Sequence, residues 1–205
     1  MSNTFFCHPQ ALVETRDIGE GCRVWAFAHV MDGARIGRDC NICDNVFVET
    51  GVEIGDRVTV KNNVFVCKGV VLNDDVFVGP GAVFTNDRFP RSARMPAIVA
   101  EKRTESDWLE RTVINRGVSV GANATVLCGI EVGEYAMIGA GAIVRDDVSQ
   151  FACVVGCPAR RVGYVCICGH RLSFDKSVGR CCQCKRVYEL RRCGDAETCR
   201  LRSEE

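Results

Sequence analysis

An apolar residue recurs at every sixth position along most of this 205-residue chain. The series runs through Ile18, Val24, Val30, Ile36, Ile42, Val48, Ile54, Val60, Val66, Leu72, Val78 and Phe84, and resumes in phase with Ile114, Val120, Val126, Val132, Ile138 and Val144. A helix repeats its apolar residues at a period of about 3.6 and a strand at about 2, so neither keeps a period of six over this length. The pattern indicates a solenoid whose short turns stack on one another.

Two further positions of the repeat are restricted. The fifth is small or apolar throughout, and the second is often glycine, at Gly19, Gly37, Gly55, Gly79, Gly121, Gly133 and Gly139. We expect each hexapeptide to form a short strand and a corner, with its first and fifth residues inward and glycine tolerating the corner dihedrals. Three hexapeptides then make one triangular coil. The sequence predicts an all-β fold, a parallel β-helix, over residues 1–163.

The repeat is interrupted between Phe84 and Ile114. Arg88 would fall in an inward slot there, and an apolar core does not accept an unpaired charge cheaply. Residues 85–113 are therefore predicted to form a loop inserted into one coil. Long loops without regular structure are commonly functional, although a solvated excursion is the alternative.

Segments on both sides of the break resemble bacterial nucleotide-sugar N-acetyltransferases of the hexapeptide-repeat superfamily. The similarity lies in residues 24–30 (VWAFAHV), 60–64 (VKNNV), 78–92 (VGPGAVFTNDRFPRS), 117–125 (GVSVGANAT), 138–144 (IGAGAIV) and 155–160 (VGCPAR). Residues 169–175 (GHRLSFD) and 188–190 (YEL) are similar to the tail of a subgroup that acetylates the 3-amino group of UDP-2-acetamido-3-amino-2,3-dideoxy-glucuronate. The resemblance implies a left-handed β-helix, a homotrimer with active sites between subunits, and acetyl-CoA as the acyl donor.

The same resemblance implies N-acetylation of a UDP-linked amino sugar, at C3, in surface-polysaccharide biosynthesis. A dTDP-linked 3- or 4-amino sugar or a sugar hydroxyl is the alternative acceptor. A different class of function would be a non-catalytic hexapeptide scaffold or a carbonic-anhydrase-like metalloprotein. A carbonic-anhydrase-like metalloprotein needs several histidines, and the coils contain only His29.

An amine that attacks a thioester needs orientation and oxyanion donors more than a strong base, because a useful fraction of such amines is neutral near pH 7. We therefore predict catalytic roles for Asn86 and Asp87, where the coil opens into the loop. Predicted substrate contacts are Arg88 and Arg91, as clamps for phosphate or carboxylate, and Trp25, His29, Lys61 and Asn62 on earlier coils. The alternative is a surface role for His29, Arg88 and Arg91 and a salt bridge for Asp87.

The late coils are predicted to hold acetyl-CoA. Small residues there leave the backbone accessible to the pantetheine arm, and two arginines could reach the phosphates: Gly121, Ala122, Gly139, Gly141, Arg160 and Arg161. The glycines also suit the corner geometry, whatever else they do.

Cysteines concentrate in residues 164–205 of a chain that has 15 in all. Two pairs, Cys166-x-Cys168 and Cys181-x-x-Cys184, predict a small zinc-ribbon-like tail with a closed, structural zinc site. The first spacing is one residue shorter than usual, so Cys182 and His170 are alternate ligands. Free thiols on a short β-hairpin are the alternative structure.

Composition excludes several classes of protein. A formal net charge of zero argues against nucleic acid as the main partner. No apolar run approaches the ~18–20 residues of a membrane span, which argues against membrane insertion. The N-terminus lacks the pattern of a signal peptide. We therefore predict a cytoplasmic protein, whose cysteines stay reduced.

Overall fold

Three parallel sheets wind into a triangular β-helix in this computed structural model, which describes residues 5–92, 94–95, 104–193 and 196–202. Face A consists of β1 (Phe6–Cys7), β3 (Arg23–Val24), β6 (Asn41–Ile42), β9 (Thr59–Val60), β12 (Phe77–Val78), β15 (Ser119–Val120), β18 (Met137–Ile138), β20 (Ala152–Val155) and β21 (Arg160–Tyr164), of which β21 alone is antiparallel. Face B consists of β2 (Leu12–Val13), β4 (His29–Val30), β7 (Phe47–Val48), β10 (Phe65–Val66), β13 (Val83–Phe84), β16 (Thr125–Val126) and β19 (Ile143–Val144). Face C consists of β5 (Arg35–Ile36), β8 (Glu53–Ile54), β11 (Val70–Leu72), β14 (Thr112–Ile114) and β17 (Glu131–Val132).

A fourth, antiparallel sheet forms the tail. It contains β22 (Ser173–Asp175), β23 (Val178–Arg180), β24 (Val187–Cys193) and β25 (Ala196–Leu201). In the described part of the chain the one helix is a short 3₁₀ turn, Glu105–Asp107, within the insertion. No helix there is long and apolar enough to cross a membrane.

The interior of the coils follows the sequence pattern. From Val24 to Val144 the first residue of every hexapeptide is buried, and the fifth residue is buried from Cys22 to Val148. Burying an aliphatic side chain stabilises the fold by roughly 1.5–3 kcal/mol. The stacked apolar side chains therefore stabilise coils whose strands have only two or three residues. The prediction that the first and fifth residues of each hexapeptide point inward is confirmed.

The reason for the second-position glycines differs from the prediction. None of these glycines, all of which the structure describes, has a left-handed φ; that conformation falls at the fourth position, as at Asn63 (φ 61°) and Gly81 (φ 68°). A Cβ on Gly121 would instead lie 2.4 Å from Ala140 N in the next coil. These positions need glycine because the neighbouring coil passes too close for a side chain.

The tail continues the hydrophobic core of the β-helix. The ring of Tyr188, in β24, is fully buried and lies edge-on to Phe151, 5.3 Å between centroids, and Phe151 stacks on Tyr135 at 5.6 Å. Strand β21 ends at Tyr164, next to the boundary predicted between residues 163 and 164. The tail thus covers the C-terminal end of the β-helix.

Candidate active site

The insertion leaves the β-helix at the corner between faces B and C. Strand β13 precedes it on face B, and β14 follows it on face C. On both sides the coil keeps its register, because Val83 pairs with Thr125 and Val113 pairs with Val71. Residues 93 and 96–103 of the predicted loop lie outside the described residues. The described part of the insertion starts and ends at the corner between faces B and C.

Asn86 lies at the mouth of this loop. Its backbone oxygen accepts a hydrogen bond from Glu110 N at 3.0 Å, which joins the two ends of the insertion. The side chain is half-buried, and its amide makes no hydrogen bond to any residue that the structure describes. The amide is therefore available to a bound ligand, and the catalytic role of Asn86 stays a prediction.

Arg88 is engaged by the protein itself. Its Nε donates to Glu110 Oε2 at 3.1 Å, and Nη2 donates to the backbone oxygen of Cys128 at 3.1 Å. The guanidinium thus links the start of the insertion to its end and to the following coil. Arg88 therefore holds the two ends of the loop together, and its contact with phosphate or carboxylate stays a prediction.

The neighbouring predicted residues have local partners. Asp87 Oδ1 accepts a hydrogen bond from Phe89 N at 2.8 Å, which fixes its carboxylate beside the loop mouth. Arg91 donates to the backbone oxygen of Pro90 at 2.9 Å. Both residues lie in the first stretch of the insertion after Asn86, and their catalytic and substrate roles stay predictions.

A cavity of about 480 Å³ opens beside the insertion. It is lined by Thr85, Asp87, Arg88, Pro90, Leu127, Cys128, Arg145 and Asp146. Five residues at this corner were not predicted from the sequence: Glu110, Leu127, Cys128, Arg145 and Asp146. The signal that could have found the last four is the coil repeat, because they occupy the same corner as Thr85 and Asn86 in the next two coils.

A second set of predicted residues lies at the other edge of face B, at the corner with face A. Trp25 Nε1 donates to Asn41 Oδ1 at 2.7 Å, and Asn62 Nδ2 donates to Asp44 Oδ2 at 2.9 Å, so both bind neighbouring coils. The set comprises Trp25, Lys61, Asn62, Gly121, Ala122, Gly139 and Gly141. Within one chain, the structure therefore splits the predicted site between opposite edges of face B.

His29 points outward from face B, as predicted. Its ring meets the edge of Phe47 at 4.9 Å, and Nε2 lies 3.3 Å from Glu14 Oε1 without a hydrogen bond to a described residue. Three strand steps separate it from Val83. At ~4.8 Å per step this is about 14 Å, too far to act at the Asn86 corner of the same chain.

The predicted coenzyme residues differ in their accessibility. A side chain would find no atom within 4 Å at Gly141, whereas the backbone or side chain of the next coil crowds Gly121 and Gly139. Arg160 is exposed. Arg161 pairs with Glu197 at 3.2 Å and lies over the ring of Tyr164 at 4.9 Å. Arg161 is thus paired with the tail, and its contact with phosphate stays a prediction.

The structure brings together the four predicted metal ligands. The Sγ atoms of Cys166, Cys168, Cys181 and Cys184 lie within 4.8 Å of one another. Burial raises the pKa of Cys166 to about 12, whereas a hydrogen bond from the backbone N–H of Arg186 lowers the pKa of Cys184 to about 6. Of the alternates, Cys182 is exposed and lies outside this group.

Comparison with known proteins agrees with this architecture. The family model described as bacterial transferase hexapeptide (six repeats) matches residues 17–50 and 111–146. A curated relative from Aneurinibacillus thermoaerophilus, dTDP-3-amino-3,6-dideoxy-alpha-D-galactopyranose 3-N-acetyltransferase, is 46% identical over 188 residues, which cover 92% of each chain.

Solved structures share the fold at lower identity. A hexapeptide-repeat acetyltransferase from Vibrio cholerae, complexed with acetyl-CoA, is 22% identical with a TM-score of 0.53 over 64% of this chain and 70% of its own. A hexapeptide transferase family protein from Anaplasma phagocytophilum is 15% identical with a TM-score of 0.53 over 76% and 80% of the two chains.

Proposed function

The chain belongs to the bacterial hexapeptide-repeat transferases, and from this premise we propose that it transfers an acetyl group from acetyl-CoA to the 3-amino group of a dTDP-linked deoxyamino sugar. The observation that carries the proposal is the 46% identity to a dTDP-sugar 3-N-acetyltransferase across 92% of both chains. Identity over that length extends beyond the generic repeats. A UDP-linked 3-amino sugar is the second candidate, supported by the similarity of residues 169–175 and 188–190 to a UDP-specific subgroup.

The reaction needs a neutral amine held against a thioester. The sugar nitrogen attacks the thioester carbonyl, a tetrahedral oxyanion forms, and the carbon–sulfur bond breaks to release the coenzyme A thiolate. The nitrogen loses one proton on the way to the amide. Asn86, whose side-chain amide oxygen can accept from the amine, orients the nucleophile, and the carboxylate of Asp87 accepts the proton.

Face B supports the predicted homotrimer. Its outward column carries exposed apolar side chains, Leu12, Phe65 and Val83, which are 53%, 40% and 43% exposed in the single chain. Contiguous exposed apolar surface commonly marks an interface between proteins. Packing of such faces around a threefold axis would bring the A–B corner of one subunit to the B–C corner of the next. This arrangement would reunite the residues that one chain holds apart.

The proposal is tested by incubating the protein with acetyl-CoA and a panel of nucleotide amino sugars, with thiol release as the readout. The panel contains dTDP- and UDP-linked 3-amino sugars, a dTDP-linked 4-amino sugar and a dTDP-linked sugar without an amine. We expect the highest kcat/KM with the dTDP-linked 3-amino sugar. A preference for UDP would favour the second candidate. Absence of release with every sugar would favour a non-catalytic scaffold.

A further inference from the structure

We propose that Cys166, Cys168, Cys181 and Cys184 bind one zinc ion, and that this ion fastens the tail sheet to the end of the β-helix. Cys166 Sγ and Cys184 Sγ lie 3.2 Å apart, Cys168 Sγ and Cys181 Sγ lie 3.5 Å apart, and all four lie within 4.8 Å. In a tetrahedral site with Zn–S bonds of about 2.3 Å, the sulfur atoms are about 3.8 Å from one another. The observed separations bracket that value.

Two turns of similar construction present the sulfur atoms. In the first, Cys166 O accepts from Gly169 N at 2.8 Å and Cys166 N donates to His170 O at 2.9 Å. In the second, Cys181 O accepts from Lys185 N at 3.1 Å and Cys181 N donates to Arg186 O at 2.9 Å. The second turn is one residue longer, as is its cysteine spacing. The short Cys166-x-Cys168 spacing therefore matches a shorter turn, and this turn still places both sulfur atoms in the cluster.

The surroundings of the cluster suit thiolates. The hydroxyl of Tyr188, which is fully buried, donates to Cys166 Sγ at 3.1 Å and accepts from Ile167 N at 3.0 Å. A neutral thiol is a weak acceptor, whereas a metal-bound thiolate gives this buried donor a strong partner. The Arg186 side chain interacts electrostatically with Cys184. Its charge offsets part of the net negative charge of four thiolates around a divalent ion.

The choice of metal follows from the ligands. Four thiolates in a tetrahedron suit zinc or iron. The proposed acetyl transfer changes no oxidation state, so it does not require a redox-active iron centre. All four positions are filled by protein, as in structural zinc sites. His170 Nδ1 lies 3.6 Å from Cys168 Sγ, outside the tetrad of sulfur atoms, where it can support a ligand.

The cluster is joined to the β-helix through Tyr188. Its hydroxyl binds Cys166, and its ring packs on Phe151, which stacks on Tyr135 beneath the last coil. A tail this short gains little stability from its own core, so a metal can supply the missing free energy of folding. The zinc ion would thus keep the open end of the solenoid covered.

The test uses the full chain purified without chelators. Elemental analysis is expected to find about one zinc per chain, and cobalt substituted for zinc is expected to give the absorption spectrum of a tetrahedral tetrathiolate. Cys181→Ser should lose the zinc. Cys182→Ser, which removes the adjacent exposed thiol, is the matched control and should keep it.

A wild-type measurement covers the case in which Cys181→Ser fails to fold. Titration of the wild-type thiols with a mercurial reagent should release one equivalent of zinc to a colorimetric indicator and lower the melting temperature. Iron in place of zinc, no metal in the wild type, or equal zinc loss in Cys182→Ser would each overturn the proposal. None of these readouts depends on acetyl transfer.

Discussion

Replacing Gly121 with alanine tests why glycine recurs in the repeat. An alanine Cβ at this position would lie 2.4 Å from Ala140 N and 2.6 Å from Gly139 C, whereas ordinary contacts begin at 3.4 Å. The next coil must therefore retreat by about 1 Å at this corner, and a packed interior resists such a shift. Gly121 N donates to Ile138 O at 2.8 Å, so the retreat also strains a hydrogen bond between the coils.

The expected loss of stability follows from these two contacts. Overpacking costs about 1–3 kcal/mol, and a weakened hydrogen bond costs about 1 kcal/mol. For a chain of this length each kcal/mol lowers the melting temperature by roughly 2–4 °C, so Gly121→Ala should melt about 4–16 °C below the wild type. Circular dichroism at a fixed protein concentration measures this, because the melting temperature of an oligomer depends on concentration.

Gly141 supplies the matched control. It lies one coil further along in a left-handed conformation (φ 68°), and no atom lies within 4 Å of the place that a Cβ would take. Asparagine already occupies the equivalent conformation at Asn63 and Asn123. Gly141→Asn should therefore change the melting temperature little. An unchanged melting temperature for Gly121→Ala, or an equal fall in Gly141→Asn, would refute the stacking explanation.

Three further predictions concern the site and the assembly. Asn86→Ala should lower kcat at least ~tenfold with the oligomer intact, because the amine loses its orienting group; unchanged kinetics would remove its role. Arg88→Met should lower kcat more than Glu110→Gln, because it also loses the hydrogen bond to Cys128 O, and the double variant should fall no further than Arg88→Met; a rise in KM for the nucleotide sugar in Arg88→Met with kcat unchanged would instead indicate a phosphate clamp. Phe65→Asp on face B should yield monomers in light scattering, whereas Phe77→Asp on face A, equally exposed (40% and 42%), should not; dissociation by both would contradict an interface on face B.

Much of the fold could be predicted because the repeat is strictly local in sequence. The phase of six puts Val60 and Val78 inside wherever their coil lies, and the burial of both positions confirms it. The same regularity located the insertion after Phe84. The short spacing of Cys166 and Cys168 left their convergence with the second pair open in the sequence, and the turn lengths resolved it.

The site could be predicted only in part. Asn86 was predicted because it stands where the repeat stops, and the structure places it at the mouth of the loop. The partners of Arg88 were missed because Glu110 belongs to the far end of the insertion and Cys128 to the following coil, so neither is near it in sequence. The division of Trp25 and Asn86 between two corners was also missed, although the place of each hexapeptide within a coil of three would have predicted it.

The sequence by itself determined the solenoid, its inward residues and the place where a loop leaves it, since each depends on a pattern repeated within a few residues. Only the tertiary structure decided which residues hold the two ends of the loop together, why Gly121 must lack a side chain, and how Tyr188 ties the tail to the last coil. These features depend on distances between coils and sheets that meet only when the chain is wound. The six-residue period does not predict these contacts between residues that are far apart in sequence.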